Sequence, residues 1–265
     1  IFGVDLDPKA VEIAQLNLLL KAAEKKHRLP TLQENIKVGN SLIDDSNIAG
    51  NRAFKWEEQF NEIMQKGGFD VVIGNPPYGA MFNIDEKNYF DKQYTYVKSI
   101  YESYRLFLEK SIKLVKTEGY LGLIIPNTWF YLTNAEDMRN NLLSNYTLTK
   151  IINLPQSVFE DATIDTCILI LKKTTKKNNQ FKTYFFPYKD KINSLENINY
   201  STIKQSDLLS APNSVINLKL TVDDVTLISK IKKQILVLND YVKIITGIKP
   251  YQVGKGIPPQ NKKIV

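Results

Sequence analysis

The sequence predicts an α/β fold, a sheet of buried strands covered by helices on both faces. Three observations predict it. Short apolar runs of strand length alternate with longer segments of helical period. One run, Phe69–Ile73, follows the chain break Gly67-Gly68 and has the composition of a parallel strand buried on both faces. A rigid turn, Asn75-Pro76-Pro77-Tyr78, then stands directly at its carboxyl end, where open α/β sheets hold their ligands. At 265 residues and 43% hydrophobic content the chain is long enough for one such core and a smaller additional unit.

In order along the chain, Ile1–Val4 is a strand pattern that runs straight into a helix. Asp7-Pro8 supplies an N-cap and a helix-starting proline, and the apolar positions Val11, Ile13, Leu16 and Leu20 carry the helix to about His27. Ile36–Val38 is a short strand. Tyr96–Lys116 reads as a long amphipathic helix, ended by Glu118-Gly119. Tyr120–Ile125 is another buried strand, Ala135–Leu143 a helix, and Leu148–Leu154 and Thr166–Leu171 the last strands. Lys172–Gln180 has no apolar period and reads as a polar linker. Beyond it, Phe181–Tyr188, a helix allowed at Asp223–Leu236 and the turn-rich Gly247–Pro259 close no core of their own.

Composition excludes several kinds of chemistry. The one cysteine, Cys167, lies in an apolar run, so the chain builds neither a disulfide nor a cysteine metal site. The one histidine, His27, sits in a lysine-rich helix end, which leaves no imidazole for acid–base work and no metal site. No signal-peptide pattern opens the chain, and no run of 18 uncharged apolar residues crosses a membrane, so a reducing cytoplasmic setting is expected. Charge is uneven: residues 1–171 hold 18 basic and 22 acidic side chains, a balance of −4, and residues 172–265 hold 17 and 6, a balance of +11. A basic half of this kind suits either a solvated surface or a face that neutralises phosphates.

The turn carries the most specific chemistry. Two consecutive prolines fix φ and remove two backbone donors, which leaves rigid carbonyls free to accept. An amino group conjugated to a ring is a poor nucleophile, because its lone pair is delocalised. Acceptors that hold both of its N–H groups favour a pyramidal nitrogen, and Asn75 Oδ1 with the Pro76 carbonyl can do this. No strong base is required, since the proton becomes acidic once a methyl group has transferred. Tyr78 offers a ring on which a base flipped out of a duplex can stack, so the ring rather than the hydroxyl is expected to matter.

With these residues the chain resembles the N6-adenine DNA methyltransferases, and in the order and spacing of its elements the gamma class. That class includes the bifunctional type IIG restriction-modification enzymes. The resemblance covers Ile1–Leu171 well and Leu238–Pro259 more weakly. It implies a Rossmann-like methyltransferase sheet, S-adenosylmethionine as cofactor, and double-stranded DNA with a flipped adenine as substrate. Asn75, Pro76, Pro77 and Tyr78 match the family's catalytic motif.

Gly3-Val4-Asp5-Leu6-Asp7-Pro8 resembles the second cofactor motif, which gives Asp5 the ribose hydroxyls and Leu6 a place beside them, with Asp7 as the helix cap. Asn40, in Gly39-Asn40-Ser41-Leu42, stands where the family sets a side chain, often an aspartate, against the adenine of the cofactor. Its amide accepts the same bond without charge assistance. Phe159 falls where the family carries an aromatic against the flipped base, and Pro126-Asn127-Thr128-Trp129-Phe130 resembles a segment beside that pocket.

The family's glycine-rich first motif has no counterpart, and the chain reads as beginning one strand and one helix into the fold. The resemblance therefore divides it into a catalytic domain at 1–171, a basic linker region at 172–237 and the start of a target-recognition domain at 238–265. A nuclease domain upstream in a longer protein fits the type IIG pattern. The competing functions are methylation of a glutamine amide or of an RNA base, which share the Asn-Pro-Pro-Tyr motif, and a non-catalytic DNA-binding remnant.

Overall fold

The computed structural model describes residues 1–24, 31–97, 100–155, 158–159, 164–174, 179–187 and 198–219, with short pieces at 192, 195, 224, 226–227, 230–231 and 241–242. The chain divides into two compact units, Ile1–Lys219 and Leu220–Val265. His27, most of the helix expected at Asp223–Leu236 and nearly all of Leu238–Pro259 lie outside the described residues.

Within the first unit, strand β1 (Gly3–Asp5) pairs in parallel with β2 (Ile36–Val38), and helix α1 (Pro8–Glu24) connects them. Asp7 caps α1 as expected: its Oδ1 accepts the Lys9 N–H at 2.9 Å. A second, six-stranded sheet has the order β3-β4-β6-β5-β7-β8, built from β3 (Phe69–Gly74), β4 (Val115–Pro126), β5 (Thr147–Asn153), β6 (Thr166–Lys172), β7 (Gln180–Phe185) and β8 (Ser201–Lys204). Helix α2 (Ile84–Gln93) and helix α3 (Ser103–Leu114) link β3 to β4, helix α4 (Glu136–Asn145) precedes β5, and a short helix, α5 (Gln205–Leu209), follows β8. The sheet is mixed. β3 is parallel to β4 and β7 to β5, whereas β6 runs antiparallel between β4 and β5.

The core lies against the middle strands. Leu121, Leu123 and Ile125 of β4 and Leu169 and Leu171 of β6 alternate inward and pack with Leu108 and Ile112 of α3 and Met138 and Leu142 of α4. Burying each such side chain contributes about 1.5–3 kcal/mol of transfer free energy. Two arginines lie inside with backbone oxygens as partners. Arg139 donates to the carbonyls of Trp129, Leu132 and Asn213, and Arg105 to the carbonyl and side-chain oxygen of Asn134. They tie the loops after β4 to the helices below them.

Four expectations need correction. The run Phe69–Ile73 is not buried on both faces: Val71 is 56% and Ile73 80% exposed, both on one face of β3, whereas Val72 on the other face packs against the core. Likewise β1 is only half-buried, and on α1 Val11 is buried while Ile13, Leu16 and Leu20 stand more than half exposed. β1 is one of the two strands of the small sheet, and α1 is the helix that connects them. The long helix starts at Ser103 and not at Tyr96, since the Glu109 carboxylate takes the N–H groups of Thr95 and Tyr96 at 2.7 and 3.0 Å and holds them outside it. It ends at Leu114, and β4 begins at Val115 by pairing with Phe69.

The fourth correction is the boundary after Leu171, which falls inside the sheet. β7 pairs with β5 and buries Phe181 in the main core, with Leu208 and Ile216 beside it. In β7 Phe181 and Thr183 point inward and Gln180 and Lys182 outward.

Candidate functional site

Asn75 leaves the carboxyl end of β3 exposed to solvent. Pro76 is buried, Pro77 exposed and Tyr78 half-buried, so the turn folds back over the sheet with the amide at its rim. Two contacts fix it. Ser103, fully buried at the start of α3, donates its hydroxyl to the Pro77 carbonyl at 2.5 Å and receives the Ala80 N–H at 3.4 Å. Tyr78 Oη lies 2.5 Å from Asn75 Oδ1 and 3.0 Å from the Ile124 carbonyl on the adjoining strand. Among the described residues no donor reaches the Pro76 carbonyl, whereas its neighbour is taken by Ser103. Ser103 thus takes Pro77 O, while Asn75 stands exposed with its Oδ1 against Tyr78 Oη, and Pro76 is buried.

Burial pushes the Tyr78 hydroxyl up to about 12, with nearby Cys167 adding to the shift. Tyr78 stays a neutral phenol. Burial also pushes the Cys167 thiol up to about 12, which leaves it protonated and no nucleophile.

Next along the sheet edge, Asn127 follows β4. It donates from Nδ2 to Asn153 Oδ1 at 2.7 Å, and its own N–H meets the Asp165 carbonyl at 2.9 Å, so the ends of β4, β5 and β6 are bound together beside the turn. Trp129 and Phe130 are buried in the core. Phe159 is half-buried in the connection between β5 and β6. Among the described residues no hydrogen bond or ring contact joins it to Tyr78.

The cofactor candidates sit together on the smaller sheet. Asp5 ends β1, and its Oδ1 receives the Asp7 N–H at 2.8 Å, which aims the carboxylate past the strand end. Gly39 donates to the Asp5 carbonyl at 2.9 Å, bringing Asn40 alongside. A side chain at Gly39 would place Cβ 2.4 Å from the Phe54 ring, so only glycine allows this approach. Asn40 Oδ1 receives the Leu42 N–H at 3.0 Å, an Asx turn that orients the amide and uses one lone pair of its oxygen.

Arg52, which the sequence did not single out, joins both segments: its carbonyl accepts Asn40 N–H at 2.6 Å and its guanidinium donates to the Leu6 carbonyl. An exposed carboxylate beside an amide at two adjacent strand ends suits a ribose and a purine. These acceptors fit the adenosine half of S-adenosylmethionine.

Ser103 and Arg52 were missed because each acts through tertiary contacts. Nothing in the local sequence distinguishes Ser103 from any other serine at a helix start. A cavity of about 720 Å³ opens nearby, between the loop after β2 and α2, lined by Asp44, Asp45, Lys55, Tyr89 and Lys92 among others; none of the site residues lines it. Among the described residues no helix is long and apolar enough to cross a membrane.

The chain is 32% identical over 196 residues to the type II restriction enzyme and methyltransferase RM.Eco57I of Escherichia coli, a match covering 68% of this chain and 19% of that protein. It is 28% identical over 230 residues to the type II methyltransferase M.HindII of Haemophilus influenzae, covering 83% and 42% respectively. The chain thus spans less than half the length of either relative. Its fold is shared with the type ISP restriction-modification enzyme LlaGI, solved as a nuclease-deletion mutant with a DNA substrate mimic, at a TM-score of 0.58 and 18% identity over 80% of this chain and 24% of that one. Residues 1–159 match the Eco57I restriction-modification methylase model, and the chain belongs to that family.

Proposed function

We propose that the chain carries the site that methylates the N6 amino group of adenine in double-stranded DNA, within a restriction-modification or related phage-defence enzyme. The observation that carries this reading is the division of labour among three neighbouring acceptors. The Asn75 amide stands at the rim, the Pro76 carbonyl has no donor among the described residues, and the Pro77 carbonyl is tied to Ser103. With the Asn75 oxygen released by Tyr78, it and the Pro76 carbonyl would be two neighbouring acceptors, which suits an –NH2 group with two protons.

S-adenosylmethionine, the methyl donor of this family, supplies an electrophilic methyl group on a sulfonium. Asp5 would accept from its ribose hydroxyls with Leu6 beside them, and Asn40 would face its adenine. Asn75 Oδ1 and Pro76 O hold the amino protons of the substrate, so that nitrogen turns its lone pair toward the methyl group. The proton leaves to solvent after transfer, which accords with a site whose phenol and thiol both stay protonated. Tyr78, and Phe159 from the next loop, give the flipped adenine its stacking surfaces. The +11 balance of residues 172–265 supports contacts to phosphates, and the family's restriction enzymes support a nuclease elsewhere in the whole protein.

The test sets an adenine-containing duplex beside a glutamine-containing release-factor peptide and an RNA of the same sequence, each with labelled cofactor and the whole protein. Transfer to the duplex alone is expected. Transfer to the peptide or the RNA alone overturns the reading, and transfer to none returns the chain to a non-catalytic DNA-binding role.

A further inference from the structure

The hydrogen bonds of Tyr78 contain a mismatch. Its hydroxyl stands 2.5 Å from Asn75 Oδ1 and 3.0 Å from the Ile124 carbonyl, yet a phenol has one proton and both neighbours are acceptors. Only one contact can be an ordinary hydrogen bond. While the proton points at Asn75, the oxygen that the substrate amino group needs is occupied. A half-turn of the amide about its last side-chain bond resolves both problems. Asn75 Nδ2 then donates to Tyr78 Oη, and Tyr78 donates to the Ile124 carbonyl. Two protons serve two bonds in a head-to-tail chain, an arrangement that strengthens each member. Oδ1 then points to the side away from Tyr78; Asn75 is exposed, and Tyr78 is packed against the core.

We propose that the Tyr78 hydroxyl is a positioning group that sets the orientation of the Asn75 amide. In the resting arrangement Oδ1 is held by the phenol. In the turned arrangement the phenol receives Nδ2, and Oδ1 is presented to the incoming amino group. The anchor of the relay is the Ile124 backbone carbonyl, which the sheet holds rigid. A substrate amino group selects the turned arrangement, because only there does it find its acceptor. Tyr78 therefore does two separable things: its ring stacks a base, and its hydroxyl aims the neighbouring amide. This rests on the N6-adenine reading above and adds to it the way the acceptor is aimed.

The experiment is a double-mutant cycle on the whole protein, read by single-turnover methylation and by the fluorescence of 2-aminopurine at the target position. Tyr78→Phe keeps the ring, so base capture and DNA affinity should match wild type while the transfer rate falls about fivefold to tenfold, the worth of one aimed hydrogen bond. Asn75→Asp replaces the amide by a carboxylate with oxygen at both ends, for which a half-turn changes nothing. In that background Tyr78→Phe should cost nothing further. A Tyr78→Phe enzyme that transfers at the wild-type rate overturns the inference, as does an equal loss in both backgrounds, which would mark the hydroxyl as a packing group. A wild type that leaves adenine unmodified sinks the underlying reading instead, and the two failures are told apart by that control.

Discussion

Replacing Asn75 with alanine is expected to lower the rate of methyl transfer to DNA by about 100-fold or more, the usual consequence of losing one preorganised acceptor at a centre of developing charge. The bond it makes strengthens as the substrate nitrogen becomes pyramidal and positive, so the loss belongs to the chemical step. Cofactor affinity should barely change, because Asp5, Leu6 and Asn40 lie on the smaller sheet and none of them bonds to Asn75. Stability should also hold, since Asn75 is exposed and its removal leaves no buried group unpaired. Single-turnover kinetics beside calorimetric titration of cofactor separate these quantities. A wild-type transfer rate in Asn75→Ala would remove the residue from the chemistry altogether.

Gly68→Ala should be the most damaging single change to the fold. Gly68 has a φ of +116°, a region that side chains rarely enter, and a Cβ there would lie 2.2 Å from the Leu114 carbonyl oxygen. Backbone strain of about 1–3 kcal/mol adds to a clash that only main-chain movement can relieve. The position matters because the chain turns there into β3, and Leu114 is where α3 hands over to β4. Both strands carry the site: β3 ends at Gly74, directly before Asn75, and β4 supplies the Ile124 carbonyl. We expect a loss of about 3 kcal/mol or more, seen as a lowered urea midpoint with cofactor and DNA sites failing together. An unchanged midpoint would mean that the crossing of β3 and the α3–β4 junction is looser than the geometry requires.

How much of this was legible in the sequence depended on whether the cause was local. Asn75-Pro76-Pro77-Tyr78 was readable because prolines fix the backbone without help from the rest of the fold, and the strand before it was readable from its apolar run. That β3 lies at an edge was not, since an apolar run states only that a strand can be buried. The true start of α3 depends on Glu109, whose carboxylate reaches back to Thr95 and Tyr96. That bond joins residues 13 and 14 apart and has no local signature.

Helix α2 was missed although a signal was present. Asn83 and Glu86 form a reciprocal capping box at its start, and only Tyr89 and Phe90 are buried on it, too few to give a visible apolar stripe. The same limit hid Ser103 and Arg52: a serine and an arginine acquire their roles only when α3 meets the proline turn and when the loop after β2 folds back onto Leu6. Tyr78 shows the converse. Its ring was assigned from the motif, but its hydroxyl acquires a task only because Ile124 comes to lie beside it.

The central claim is that this site modifies the exocyclic nitrogen of adenine in DNA. The most direct measurement is to let the whole protein act on duplex DNA of mixed sequence with isotopically labelled S-adenosylmethionine, digest the product to nucleosides and identify the labelled species by mass spectrometry. The account predicts label in N6-methyladenine, in the wild type and, much more slowly, in Asn75→Ala. Label in N4-methylcytosine or 5-methylcytosine, with none in adenine, would contradict it.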